Sequence, residues 1–243
     1  MKRLLYILYQ PYKWFIFGPF FVISTFLTCI LAFVLIFTTN SKFANSICGT
    51  GWSKLNSYLT PMFVKRTGKE NIDKKQSYVI VSNHQSQYDI FVIYGWLGIN
   101  FKWIMKQELR KIPVFGIASE KLGHIFIDRT NMAAALASIN SAKKKIINGT
   151  SVFFFSEGTR SKDGKLGKFK KGAFRMAIDL NLPILPLTIN GTRKILPPGT
   201  LDLFPGYATL TIHKPINTSD YSDNDIKRLM ETTRKTIQSD LNA

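Results

Sequence analysis

His84 and Asp89 stand five residues apart in the run YVIVSNHQSQYDIFVI. The apolar residues before them read as a strand and those after them as a helix. In an α/β sheet that junction is the C-terminal strand edge, where ligands usually bind. Five residues on a regular helix would set the two side chains about 140° apart. They meet only if His84 lies in the turn and Asp89 in the first helical turn, and the pair is then a general base with an orienting acid. A plainer reading competes, because Ser86 and Asp89 form S-x-x-D, the pattern of an N-terminal capping box. Of the other two histidines, His124 opens an apolar strand and suits packing, and His213 has no acid nearby in sequence.

A second junction is FFFSEGTRS, Phe153 to Ser161, which delivers Glu157, Gly158, Thr159 and Arg160 in consecutive places. Gly158 permits close backbone approach, and the planar fork of Arg160 suits phosphate. Lys162, Lys165, Lys168, Lys170, Lys171 and Arg175 follow, with Asp163 the one acid among them. Lys168, Lys171 and Arg175 have the spacing of one helix face, and a solvated basic face explains them as well as a ligand does. A third junction, Gly123 to Arg129, ends a strand on Asp128 and Arg129. Arg129 there is free to serve a phosphate or to pair with Asp128. Lys106 precedes it in MKQEL. The run Lys143-Lys144-Lys145 suits the last turn of a helix, where cations complement the dipole.

Several chemistries have no residues to carry them. There is no G-x-S-x-G elbow, no P-loop and no G-x-G-x-x-G. Two cysteines and three histidines are too few for a zinc site, and Cys29 and Cys48 cannot make a disulfide framework. Neither a metal nor a nucleotide cofactor is expected.

The elements that must position these residues follow from hydrophobic pattern. Tyr78–Val81, Phe101–Met105, His124–Ile127, Val152–Phe155, Ile184–Ile189 and Tyr207–Ile212 read as strands. Helices are predicted from Asn131 to Asn148, across Phe169, Ala173, Met176, Ala177 and Leu180, and across Ile226, Leu229, Met230, Thr233 and Ile237. Alternation of this kind predicts an α/β fold, a largely parallel sheet flanked by helices.

The 243 residues carry a net charge of +18. Residues 42–175 hold 23 basic and 8 acidic groups, whereas the chain from 176 onward is balanced. Phospholipid headgroups, phosphorylated substrates and nucleic acid are the partners such charge suits. No nucleic-acid motif with aromatics on strand faces is present, so nucleic acid is not expected. Between Lys13 and Lys42 lie 28 uncharged residues, Trp14 to Ser41. As a helix they would reach roughly 42 Å, more than a ~30 Å hydrocarbon core needs. The run is too long for a signal peptide, and Asn40-Ser41-Lys42 is a poor cleavage site. Phe43 to Phe63 reads as interfacial. Basic residues flank the apolar run on both sides, which fits a hairpin dipping into one leaflet, with a single span as the alternative. Residues 1–63 are therefore read as a membrane-embedded helical anchor, and 64–243 as the α/β domain.

Asn83-His84-Gln85-Ser86-Gln87-Tyr88-Asp89 resembles the NHxxxxD motif of the 1-acylglycerol-3-phosphate acyltransferases, part of the glycerolipid acyltransferase superfamily. His124–Arg129 is similar to the family's second motif, Phe155–Arg160 to its FPEGTR motif and Ile184–Leu187 to its apolar proline motif. The four occur in the family's order over roughly residues 65–215, and Ser156 stands where the family more often has proline. The resemblance implies a general base at His84 with Asp89 as its partner. It implies an acceptor-phosphate site from Lys106, Arg129, Glu157, Gly158, Thr159 and Arg160, and an acyl-donor side shaped by Pro186. The implied reaction takes an acyl chain from acyl-CoA or acyl-carrier protein, a co-substrate and not a cofactor, to the sn-2 hydroxyl of lysophosphatidic acid. Phosphatidic acid is the product, made on a phospholipid membrane with the catalytic domain on its cytoplasmic face. Another lysophospholipid or a lyso-aminolipid is the alternative acceptor.

Overall fold

A computed structural model describes residues 2–128 and 149–242, with Ser138, Asn140 and Ile146 between them. The chain opens on α1 (Lys2–Tyr12), which runs through a π-helical turn, Lys13–Phe17, into α2 (Gly18–Thr38). Pro11 removes a backbone donor just ahead of the π turn, and Pro19 removes another just after it, at the start of α2. The stretch Tyr6–Thr38 is long and apolar enough, by length and composition, to cross a membrane. Asn40 ends it by capping the next helix, accepting from the Phe43 N–H at 2.9 Å. That helix, α3 (Ser41–Leu59), packs along α2, so the apolar run and the segment read as interfacial form a helical hairpin.

Strands and helices then alternate: β1 (Met62–Thr67), β2 (Val79–Ser82), α4 (Asp89–Trp96), β3 (Phe101–Lys106), α5 (Phe115–Lys121) and β4 (Ile125–Ile127). After residue 149 come β5 (Ser151–Phe155), α6 (Gly172–Asp179), β6 (Ile184–Asn190), α7 (Thr192–Ile195), β7 (Gly206–Ile212) and α8 (Ile226–Ser239). The described strands form one sheet in the order β1-β7-β6-β2-β5-β3-β4. Every pairing is parallel except β6 with β7. The largely parallel α/β sheet is therefore as expected.

Two details differ from the sequence reading. β1 was not expected as a strand. It is an edge strand whose burial alternates, with Lys65 among its outward residues, and its partner β7 lies far off in sequence. The basic helix face is also revised. α6 begins only at Gly172, because the Lys170 N–H is drawn to the Ser156 carbonyl at 2.7 Å and holds Lys168 and Lys170 in a loop. Arg175 alone of that trio lies within a helix. The helix expected over 131–148, Lys143–Lys145 within it, and Arg129 lie outside the described residues, the three isolated positions apart.

The sheet is apolar on both faces, as parallel strands under two helical layers must be. Ile80, Phe153 and Leu185 point to one side with α4 and the N-terminal helices. Val79, Val81, Val152 and Phe154 point to the other, against α6 and α8. Tyr9, Tyr12, Phe21 and Trp52 pack into the first cluster, so the hairpin shares a core with the sheet. The outer face of α2, with Val22, Leu27, Leu31 and Phe37, is left exposed.

Candidate active site

β2 lies between β5 and β6 at the centre of the sheet, and its C-terminal end carries His84 and Asp89. His84 stays in the turn, while Asp89 is the first residue of α4. The carboxylate therefore folds back, and its Oδ2 lies 2.8 Å from His84 Nδ1. The same oxygen accepts from the backbone N–H of Gln85 at 2.7 Å and of Ser86 at 2.9 Å. Asp89 thus orients the imidazole and closes the turn through the Ser86 N–H, but no side chain caps α4, so the capping box read from S-x-x-D is not completed. Its Oδ1 accepts from Thr192 Oγ1 at 2.5 Å. Every described partner of Asp89 is a donor, so Nδ1 of His84 carries the ring proton and Nε2 presents a lone pair. The His84 ring stacks on Phe155, centroids 3.7 Å apart, and its side chain is 15% exposed while that of Asp89 is fully buried.

A second strand end closes on the first. Glu157 follows β5 and is buried, with Oε1 accepting from the His84 N–H at 2.8 Å and Oε2 from the Gly167 N–H at 2.7 Å. Burial pushes its carboxyl above the usual range, and these two backbone donors pull the other way. Around it the loops are sewn together: Ser161 N–H donates to the His84 carbonyl at 2.8 Å, and Gln85 Nε2 to the Gly164 carbonyl at 3.2 Å. Arg234 of α8 donates to the carbonyls of Leu166 and Gly167. Gly158 has φ +76°, a left-handed conformation that turns the chain sharply after Glu157 and brings Thr159 and Arg160 outward. Among the described residues no carboxylate pairs with Arg160.

An imidazole with one nitrogen open, near an arginine that pairs with no carboxylate among the described residues, at the C-terminal edge of a parallel sheet, has the chemistry to take a proton from a hydroxyl held by an anionic group. A family model described as Acyltransferase matches residues 63–190, more than half of the chain. The chain belongs to this acyltransferase family. Its match includes β2, both strand-end loops and β6. A chloroplastic 1-acyl-sn-glycerol-3-phosphate acyltransferase of Arabidopsis thaliana is 36% identical over 190 residues, 77% of this chain and 52% of the relative. One of Brassica napus is 37% identical over 187 residues, 76% of this chain and 54% of the relative. The chain thus spans about half the length of these curated relatives. The crystal structure of the lysophosphatidic acid acyltransferase PlsC from Thermotoga maritima superposes with a TM-score of 0.79 at 28% identity, covering 98% of this chain and 97% of that one.

The remaining sequence-derived positions of the acyltransferase site divide by exposure. Lys106 ends β3 and is exposed, with Nζ 2.8 Å from Glu108 Oε1. Thr159 is exposed and Arg160 half-buried at the mouth. Both oxygens of Glu157 accept from backbone N–H groups, so it braces the loop under His84. Pro186 is buried within β6, level with Val81, and its carbonyl accepts from the His213 N–H. Sequence reasoning missed Thr192 and gave no role to Asn83, the first residue of the motif. The Asn83 amide pairs with both backbone groups of Ile189, each at 2.8 Å, locking the motif loop to β6. No local signal marked Thr192, since it lies 103 residues from Asp89. Among the described residues no three of His, Cys, Asp and Glu gather as a metal-ligand set.

Proposed function

We propose that this acyltransferase moves an acyl chain from an acyl-CoA or acyl-carrier-protein thioester to the sn-2 hydroxyl of a 1-acylglycerol-3-phosphate, forming phosphatidic acid. The observation that carries the reading is the open Nε2 of His84, whose other nitrogen is committed to Asp89. As the acceptor oxygen bonds to the thioester carbonyl carbon, its proton passes to Nε2. Collapse of that adduct breaks the C–S bond, and the imidazolium returns the proton to the departing thiolate. His84 ends neutral, as it began. A thioester is already activated, so a base and correct placement suffice.

Arg160, with Lys106 and Arg129, is the set we assign to the acceptor phosphate, and Glu157 is assigned to holding the loop. The names of the Arabidopsis, Brassica and Thermotoga proteins support this acceptor. The outer face of α2 is assigned to lipid. Because α2 lies lengthwise on α3 and α5, a hairpin within one leaflet fits better than a span, with the domain on the cytoplasmic side.

The test presents the purified full chain, in phospholipid vesicles, with a panel of lysolipid acceptors and both donor types. Phosphatidic acid formed fastest from 1-acylglycerol-3-phosphate is the expected result. Faster turnover of a zwitterionic lysolipid would move the acceptor assignment, and equal turnover of a monoacylglycerol would remove the phosphate site.

A further inference from the structure

We infer that Thr192 is the positioning residue that sets the rotation of the Asp89 carboxylate, making the working unit of this site a chain from Thr192 through Asp89 to His84. The inference rests on the acyl-transfer reading above and adds a residue to it. Oδ2 of Asp89 receives three donors, His84 Nδ1 and the N–H groups of Gln85 and Ser86. All three come from the chain just before Asp89. Oδ1 receives one among the described residues, the Thr192 hydroxyl at 2.5 Å, and it comes from the turn that follows β6, 103 residues away in sequence. A carboxylate held only at Oδ2 keeps freedom to turn about its last torsion; a donor on Oδ1 removes that freedom. The hydroxyl also draws charge from Asp89, moderating how strongly the carboxylate stabilises a protonated His84.

Thr192 is built to be immobile. It is fully buried and follows β6, which is paired on both sides, with β2 and β7. Gly191 before it has φ +87°, and a Cβ there would stand 2.2 Å from the Tyr207 carbonyl oxygen, so the turn presses against β7. The turn from Thr192 closes with Leu196 N–H on the Thr192 carbonyl at 2.9 Å, and the Leu196 carbonyl accepts from Ser86 Oγ at 2.7 Å. One short turn thus grips the His84 loop at two points, Asp89 and Ser86. Glu157 also interacts electrostatically with both His84 and Asp89. It stays unchanged in the variants below, as do Arg160 at the same strand end and Arg193 beside Thr192.

The experiment compares Thr192→Val, which keeps the shape and removes the hydroxyl, with Thr192→Ser, which restores it, in full-length enzyme with acyl-CoA and 1-acylglycerol-3-phosphate. Hydrogen bonds to charged groups of this kind predict a kcat loss of about ten- to a hundredfold for Thr192→Val. Both KM values should stay within about twofold, and Thr192→Ser should recover most of the rate. Without the hydroxyl, Asp89 holds the imidazolium more tightly, so the acid limb of kcat/KM should move to higher pH. Thermal unfolding of each variant separates lost folding from lost rate. A Thr192→Val enzyme with unchanged kcat and pH profile overturns the inference. So does Thr192→Ser as impaired as valine, which would make the methyl group the needed part. An inactive wild-type chain would instead overturn the acyl-transfer reading.

Discussion

His84 and His124 occupy opposite environments in the same sheet. His84 gives Nδ1 to a carboxylate and leaves Nε2 open at the mouth. His124, just before β4, is buried, with Nδ1 accepting from the Trp103 N–H at 3.3 Å and Nε2 2.8 Å from the Tyr94 hydroxyl. The backbone donor fixes its tautomer, so Nε2 donates to Tyr94, whose own hydroxyl donates to Asn45. Burial, helped by the nearby Lys102 ammonium, pushes its pKa down to about 3. What sets the two imidazoles apart is the partner on Nδ1 and whether Nε2 has a partner among the described residues.

Replacing the two histidines should therefore produce unlike failures, and His84→Ala is the larger. General-base catalysis contributes about 10²–10⁴-fold, so kcat should fall by at least that much, with the melting temperature nearly unchanged. Single-turnover kinetics with purified protein check it, and wild-type-like turnover would remove His84 from the mechanism.

Arg160→Lys probes the open side of the same site. Lysine keeps the charge and loses the fork, so kcat/KM for the lysophosphatidic acceptor should drop by about one to two decades, mainly through KM, with donor KM unchanged. Varying each substrate in turn gives the answer. A loss confined to the donor would show that Arg160 reads the phosphates of CoA or of the carrier protein.

His124→Phe should affect stability and spare chemistry. It leaves the Trp103 N–H without its acceptor, a cost of about 1–3 kcal/mol, while turnover per folded molecule holds within about twofold. The pH dependence is specific. A histidine near 3 when folded and near 6.5 when unfolded binds more protons in the unfolded state between those values. Its contribution to stability is full above about pH 6.5 and is lost as pH falls toward 3. Denaturation midpoints across that window should fall less steeply for His124→Phe than for wild type. Some slope will persist from His213, which burial also holds below its ordinary value. Identical slopes would mean that His124 is not buried neutral.

How much of this was legible in sequence follows the distance over which each feature is decided. The strand before His84 and the five-residue gap to Asp89 are local, and both emerged from pattern and spacing. Thr192 is decided by sheet order, which sets β6 beside β2, and no local pattern contains that. Glu157 shows a second kind of distance between sequence and structure. Beside Gly158 and Arg160 it reads as part of a ligand site, but a buried carboxylate with two backbone donors in reach serves them first. β1 was lost because an edge strand carrying Lys65 and Arg66 lacks the apolar run that marked the central strands.

Ser156 gives the smallest expected effect and the finest test of which polar groups near the site matter. It stands between Phe155, stacked on His84, and Glu157, yet its buried Oγ has no partner among the described residues. Its carbonyl, not its hydroxyl, holds the Lys170 N–H. Removing an unpaired buried hydroxyl relieves desolvation without breaking a bond, so Ser156→Ala should be neutral or stabilising by about 1 kcal/mol, at wild-type kcat. Thermal unfolding and steady-state kinetics on the same preparation are sufficient. A clear loss of activity would mean that the hydroxyl acquires a partner when substrate binds, and the neighbours of His84 would then need to include it.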